Sequence, residues 1–404
     1  MSQASKLLII SALFWFAQYV YQPNTAPYLL AQKVSADFVG IIVGVYGGVQ
    51  MAARFPMGLF ADILGRHKPI VMFGCLCSGS ASIIRLLYSN GDGFFWANLL
   101  SGTASSMWLS FMLLYARGIA PERMQQALGY TFVASNIGIL MSFCTSAFAY
   151  EFLGMDAMCL FSLICGFAAL GIALTLKEAP DQQNTCNQAS QVVNTITHSR
   201  PKLTELLAVL KIPQIWFFAL MAAIQQGITM ATVMSFSNEI AHNIGGSHLE
   251  VGMLTVVYIA FCVISSYLTS LNFFARLNNG FLIGLSLFFL GVYCWGSVMT
   301  DNIYLLIALQ VLMGCSYGFV FSLANAEALK GIPSWCRSSA LGLFQAIFAF
   351  GMLWVPLIAG ELFHRTGSLN SAFYFQAALS LLGACCTIGY YINRRIQKRK
   401  AVQQ

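Results

Sequence analysis

Residues able to do chemistry are few in this chain, and they fall into three sets. The first is one short stretch, Gly58-Leu-Phe-Ala-Asp62-Ile-Leu-Gly65-Arg66-His67-Lys68, which gathers one acid and three basic side chains in a protein where 9% of residues are charged. A carboxylate near a helix end can meet a cation or the positive N-terminus of another helix, and Gly58 and Gly65 permit close approach and a tight turn. The second set is neutral and lies inside apolar runs: Gln18, Tyr19, Tyr21, Gln22 and Asn24, then Asn98, Ser101, Ser105, Ser106 and Trp108, then Asn136, Gln225, Gln226, Thr229, Gln310, Tyr317 and Asn325. Such amides and rings suit hydrogen-bonded, partly apolar organic solutes, and they equally serve as bonds between packed helices. The third set is two charges at depth, Arg54 and Glu327, which can carry or answer an ion or snorkel to the surface.

Other chemistries lack their residues. The five histidines, His67, His198, His242, His248 and His364, fall in loops or at the ends of apolar runs. No Ser, Asp or Cys set matches them, and no Gly-rich phosphate loop is present, so neither an enzyme nor a cofactor is expected. Glu239, His242, His248 and Glu250 share one loop without regular ligand spacing, and no metal site is expected there. The twelve cysteines are almost all in apolar runs, where they serve as small apolar residues, and no disulfide is expected.

These residues are positioned by helices in lipid. The 404 residues are 58% hydrophobic, with a mean hydropathy of +0.71, too apolar for a soluble chain of this size. Twelve runs are long enough to cross a hydrocarbon core of roughly 30 Å: 7–31, 38–59, 69–89, 94–116, 125–149, 155–176, 213–237, 249–271, 280–300, 303–329, 338–362 and 370–392. The one long polar stretch falls between the sixth and the seventh. The expected domains are therefore an N-terminal six-helix bundle (1–176), a cytoplasmic linker (177–212), a C-terminal six-helix bundle (213–392) and a basic cytoplasmic tail (393–404). With both termini cytoplasmic, 18 of the 21 Lys and Arg lie on the inner side, and only Lys33, Arg85 and Arg365 fall outside.

The two halves repeat. Gly102 and Gly314 stand 212 residues apart, as do Pro121 and Pro333, and Gly129 and Gly342 stand 213 apart. Two parallel six-helix halves describe an architecture that can rock about a central site. In that setting Gly58–Lys68 resembles the cytoplasmic signature of the major facilitator superfamily, G-x-x-x-D-[RK]-x-G-[RK]-[RK], at the position where that family places it. Ile63 and His67 depart from the pattern, and the second-half copy keeps only Arg276.

The resemblance implies an all-α integral membrane protein of the superfamily's fold, twelve helices in two bundles, acting as a secondary carrier by alternating access. It implies that Gly58, Asp62, Gly65, Arg66 and Lys68 form a conformational latch against Arg117 and the start of the eleventh span near Ser338. A cavity lined mainly by spans 1, 4, 7 and 10 would use Gln18, Tyr19, Gln22, Asn24, Trp108, Asn136, Gln225, Gln226, Tyr317 and Asn325. Arg54 and Glu327 are the coupling candidates, to protons or sodium. The expected partners are a small neutral or amphipathic organic solute and the lipid bilayer, with no nucleic acid, and the protein is expected to be a monomer in the plasma (inner) membrane. Drug–proton antiporters carry G-x-x-x-G-P-x-x-G-G in span 5 and an arginine in span 4. Here Ile139 replaces the proline and Asn98 the arginine, so the direction of transport stays open.

Overall fold

Backbone amides in hydrocarbon find no water, so a chain this apolar has to satisfy them inside helices. The computed structural model does so throughout. It describes residues 2–117, 119, 123–177, 203–275 and 277–403, and no strand occurs among them. The polar core of the expected linker, 178–202, lies outside the described residues.

The first half runs α1 (Gln3–Ala31), α2 (Ala36–Leu64), α3 (Lys68–Leu87), α4 (Gly91–Ala116), and a 51-residue element, Met124–Leu174. At 1.5 Å per residue that element measures about 77 Å, more than twice a hydrocarbon core. It breaks at Gly154, whose φ of 71° and ψ of −174° are not helical. It therefore comprises α5 (124–153) and α6 (155–174). The second half runs α7 (Pro213–Ala231), α8 (His248–Thr269), α9 (Asn279–Met299), α10 (Ile303–Ala328), α11 (Arg337–Thr366) and α12 (Leu369–Gln403). Among the described residues, ten helices are long and apolar enough to span, and eleven if the bent pair containing α7 counts. Counting the broken element twice gives twelve.

Sequence places the ends. Ser35 and Asn90 cap α2 and α4 by accepting from Phe38 N and Gly93 N, and Ser247 forms a reciprocal capping box with Glu250. Gly65 closes α2 in the left-handed conformation, at φ 67°. Three elements differ from the expected spans. α1 is two segments, Gln3–Tyr19 and Gln22–Ala31, with Pro23 in the first turn of the second. α4 breaks at Met107, and α12 continues as helix to Gln403 through the expected tail. Residues 203–211 are also helical rather than open chain, meeting α7 at 64° with Leu206 and Val209 buried.

The repeat seen in sequence is a spatial one. A methyl on Gly138 (α5) would strike the backbone of Ala12 (α1), and one on Gly351 (α11) the backbone of Ala223 (α7). Gly102 packs against the Tyr46 carbonyl and Gly314 against that of Tyr258. Each pair is 211–213 residues from its counterpart. The contacts between halves obey the same rule. Gly58 of α2 lies on the Ser338 carbonyl and Gly342 of α11, and Gly129 of α5 lies on Ser266 and Thr269 of α8 and on Ser270 just after it. The α2–α11 and α5–α8 seams are thus mates under an approximate two-fold.

Candidate functional site

The seams converge on the face that carries the termini, where Lys6 of α1 bonds Thr175 after α6. Along α2, Tyr46, Gln50, Arg54, Gly58 and Asp62 recur every fourth residue, which sets them on one stripe of the helix. The lower three meet α11. Asp62 accepts from Ser338 N at 3.1 Å, from Ser339 N at 2.6 Å and from Ser339 Oγ at 2.6 Å. The carboxylate thereby occupies the unsatisfied N–H groups of the first turn of α11. Gly58 fits because a Cβ would overlap the Ser338 carbonyl. Arg117 Nη2 donates to Gly65 O at 3.4 Å, joining the α2–α3 turn to the end of α4. Lys68 turns toward the end of α6, donating to Leu174 O at 3.1 Å and Leu176 O at 2.6 Å, and Arg66 is exposed. Of the expected latch residues, Gly58, Asp62, Gly65 and Arg117 are brought together; Lys68 and Arg66 point elsewhere.

The second seam has its own polar contacts. Gln125 Nε2 of α5 donates to Thr269 O of α8, and Asn279 Nδ2 of α9 reaches both Gln125 Oε1 at 3.2 Å and Glu327 Oε1 at 2.9 Å. Glu327, buried at the end of α10, also pairs with Lys330 at 3.2 Å, and its backbone oxygen accepts from Gln214.

Above the seams lies Arg54, 3% exposed. Nη1 donates to Gln345 Oε1 at 2.9 Å and to Gln345 O at 3.3 Å across the α2–α11 seam, and Nη2 donates to Gln50 Oε1. Tyr19, Tyr46 and Tyr317 are within electrostatic reach of it, and Phe348 presents its ring at 5.9 Å. All three tyrosines are half-buried in the middle of the molecule. Tyr317 adjoins Tyr258 and Phe132, and Phe132 stacks on Phe321 of the other half at 4.1 Å.

The remaining expected cavity residues divide. Gln18, Gln225 and Gln226 are buried, and both side-chain polar atoms of Gln18 and the Oε1 atoms of Gln225 and Gln226 have no hydrogen-bond partner. Gln22 is partly exposed, and Asn24 donates to Ser146 Oγ at 2.7 Å. Trp108 is buried edge-to-face on Trp15. Asn136 and Asn325 donate to the carbonyls one turn back on their own helices, Phe132 O and Phe321 O, each at 2.8 Å. Asn136 also accepts from Cys262 Sγ across the second seam, and Asn325 from Gln345 Nε2 at 3.5 Å. The histidine side chains at 242 and 248 lie outside the described residues.

Sequence reasoning missed two residues. Tyr46 belongs to the four-residue stripe on α2, the signal that could have found it. Arg85, counted as an outer-side charge, is 1% exposed inside the first half. Its Nη2 donates to Tyr21 Oη, Asn98 Oδ1 and Ser101 Oγ, each at 2.8 Å, with the guanidinium 3.7 Å from the Tyr21 ring centroid. A guanidinium thus does stand against position 98, delivered from α3 instead of α4. Its signal was its place four residues inside its own apolar run.

Comparison with known proteins agrees with this architecture. The sequence profile described as Major Facilitator Superfamily matches twice, over residues 7–238 and 220–403. The inner membrane transport protein YajR of Escherichia coli is 26% identical over 186 residues, 46% of this chain and 39% of YajR. The proton-coupled antiporter flippase LtaA of Staphylococcus aureus is 31% identical over 97 residues, 24% of each chain. The matches therefore span well under half of these relatives. Among solved structures, the human organic anion transporter MFSD10 superposes with a TM-score of 0.73 at 13% identity, covering 95% of this chain and 98% of that one. A bacterial homologue of the iron transporter ferroportin in an outward-facing state gives 0.72 at 13%, covering 97% and 100%. With a family profile matched across both halves and the fold shared end to end, the chain belongs to the Major Facilitator Superfamily of membrane transporters.

Proposed function

We propose that the protein is a secondary active carrier of a small neutral or amphipathic organic solute, working by alternating access in the plasma membrane with both termini in the cytoplasm. One observation carries the reading. The face bearing the termini is closed by two seams related by the internal repeat, while the tyrosines above them are only half-buried. That supports a carrier closed to the cytoplasm, with its cavity above the seams. Asp62, with Gly58, Gly65 and Arg117, latches that closure, and Arg66 and Lys68 act as basic anchors of the same turn. The cavity draws on Gln18, Tyr19, Gln22, Asn24, Trp108, Asn136, Gln225, Gln226, Tyr317 and Asn325. The unsatisfied amides of Gln18, Gln225 and Gln226 are the strongest of these for a solute's polar groups.

Ion coupling is assigned to Glu327 and Arg54, two ionisable groups buried beside the seams. The partial similarity to proteins named proton-coupled antiporters supports protons over sodium. Untargeted mass spectrometry of cells and medium tests the reading, comparing the intact protein with an Asp62→Asn, Gly65→Val variant. A compound whose distribution follows the intact protein names the cargo and the direction. If no compound does so, the carrier reading is wrong.

A further inference from the structure

Among the described residues, no carboxylate faces Arg54. Arg54 lies ten residues before the end of α2, about 15 Å along the helix from its terminus, and is buried. Its hydrogen-bond partners among the described residues are all neutral: the Gln345 side chain and carbonyl, and the Gln50 side chain. The groups acting on it electrostatically are the hydroxyls of Tyr19, Tyr46 and Tyr317, with no carboxylate among them. The two acids of the seams are committed elsewhere, Asp62 to the first turn of α11 and Glu327 to Asn279 and Lys330.

Neutral oxygens orient a guanidinium but leave its charge in place, and a charge held in a low-dielectric interior is costly unless a counter-charge joins it. A structural role would be served as well by an uncharged side chain, which could bond Gln345 without that cost. The planar fork of arginine is matched instead to carboxylate, sulfonate or phosphate oxygens. Around it the walls are aromatic, with Tyr19, Tyr46 and Tyr317 half-buried and the Phe348 ring 5.9 Å away. Rings of this kind accept an apolar or aromatic body and offer hydroxyl donors at its edge.

We propose that the cargo is an amphipathic organic anion whose charged group is bound by Arg54. The proposal narrows the carrier reading above and rests on it. It also links loading to movement. The bonds from Arg54 to Gln345 join the two halves, and an anion in the cavity competes for the same N–H groups. Loading therefore removes one tie across the α2–α11 seam while Asp62 still holds the turn below.

The test uses purified full-length protein in liposomes loaded with a water-soluble metabolite extract of the host cells, with released compounds identified by mass spectrometry. The wild type is expected to release organic compounds that are net negative at pH 7. Arg54→Gln is expected to slow that release at least tenfold, and Arg54→Lys to retain part of it. Release confined to neutral or cationic compounds overturns the proposal while leaving the carrier reading intact. Anion release by Arg54→Gln at the wild-type rate overturns it too. Absence of any wild-type release overturns the carrier reading, and this proposal with it. Should Arg54→Gln fail to elute as a folded species, the charge class of the wild-type cargo decides, together with Tyr317→Phe, which is expected to lower anion release several-fold.

Discussion

Asp62 and Ser339, 277 positions apart in the chain, meet through two hydrogen bonds of 2.6 Å, one to the backbone N–H and one to the hydroxyl. Hydrogen bonds to a charged group contribute about 1.5–3 kcal/mol, roughly twice a neutral one. Asp62→Asn keeps the shape and an acceptor oxygen but removes the charge. It should shift the balance toward the state open at the termini face by roughly tenfold, since about 1.4 kcal/mol is a factor of ten. Distances between spin labels on the two halves would show it, and an unchanged distribution would remove Asp62 from the latch.

The two seams should respond alike to bulk. Gly58→Val and Gly129→Val each place carbon where the opposite helix already stands, Ser338 in one case and Ser270 in the other. Both variants should raise deuterium uptake over residues 58–66 and 266–270. A rise confined to the mutated seam would mean that the seams open independently.

Arg85 and Asn98 should be coupled energetically. Arg85→Met leaves three acceptors without their donor, and Asn98→Ala removes one of them. Each should lower the unfolding free energy by about 1–3 kcal/mol. The double variant should lose less than the sum, because the two share one interaction. Thermal unfolding in detergent micelles checks this, and strict additivity would contradict it.

Gly154 occupies a backbone region open essentially to glycine alone. Gly154→Ala should cost about 1–3 kcal/mol. Gly171→Ala, in α6 where an added methyl meets nothing within 4 Å, should be neutral or stabilising by up to about 1 kcal/mol. The two melting temperatures, measured side by side, separate backbone strain from crowding.

Glu327→Gln retains an oxygen for Asn279 but loses the charge paired with Lys330. If Glu327 carries the coupling, the variant should lose accumulation driven by a proton gradient yet keep exchange of cargo across the membrane at equal concentrations. Retained gradient-driven accumulation would assign coupling elsewhere.

The helices and the internal repeat were legible because length, apolarity and glycine spacing are set along the chain. Asp62 was legible for the same reason, since its partner is a helix N-terminus, which any start of the eleventh span supplies. What escaped depends on rotamers and on which neighbour a helix turns toward. Counting basic residues by membrane side treats each one as a surface charge, and so it placed Arg85 outside although its own apolar run contained it. That Asn136 and Asn325 each also bond a carbonyl one turn back is a choice that residue type alone does not reveal. Tyr46 was hidden because its stripe on α2 mixes a ring, an amide, a cation, a glycine and an acid, so no single residue type marks it.

The matched seams have a consequence for ancestry. A helix of the α2 type in one half packs on one of the α11 or α5 type in the other, and the same contact is made a second time with the roles of the halves exchanged. That reciprocity is the form of an isologous interface between identical subunits. A single six-helix precursor pairing with a copy of itself would already have possessed both seams. Fusion of two such copies would then have freed each seam to change alone, and at one pair of matched positions only the first half carries an acid: Asp62, whose counterpart 212 residues later is Phe274.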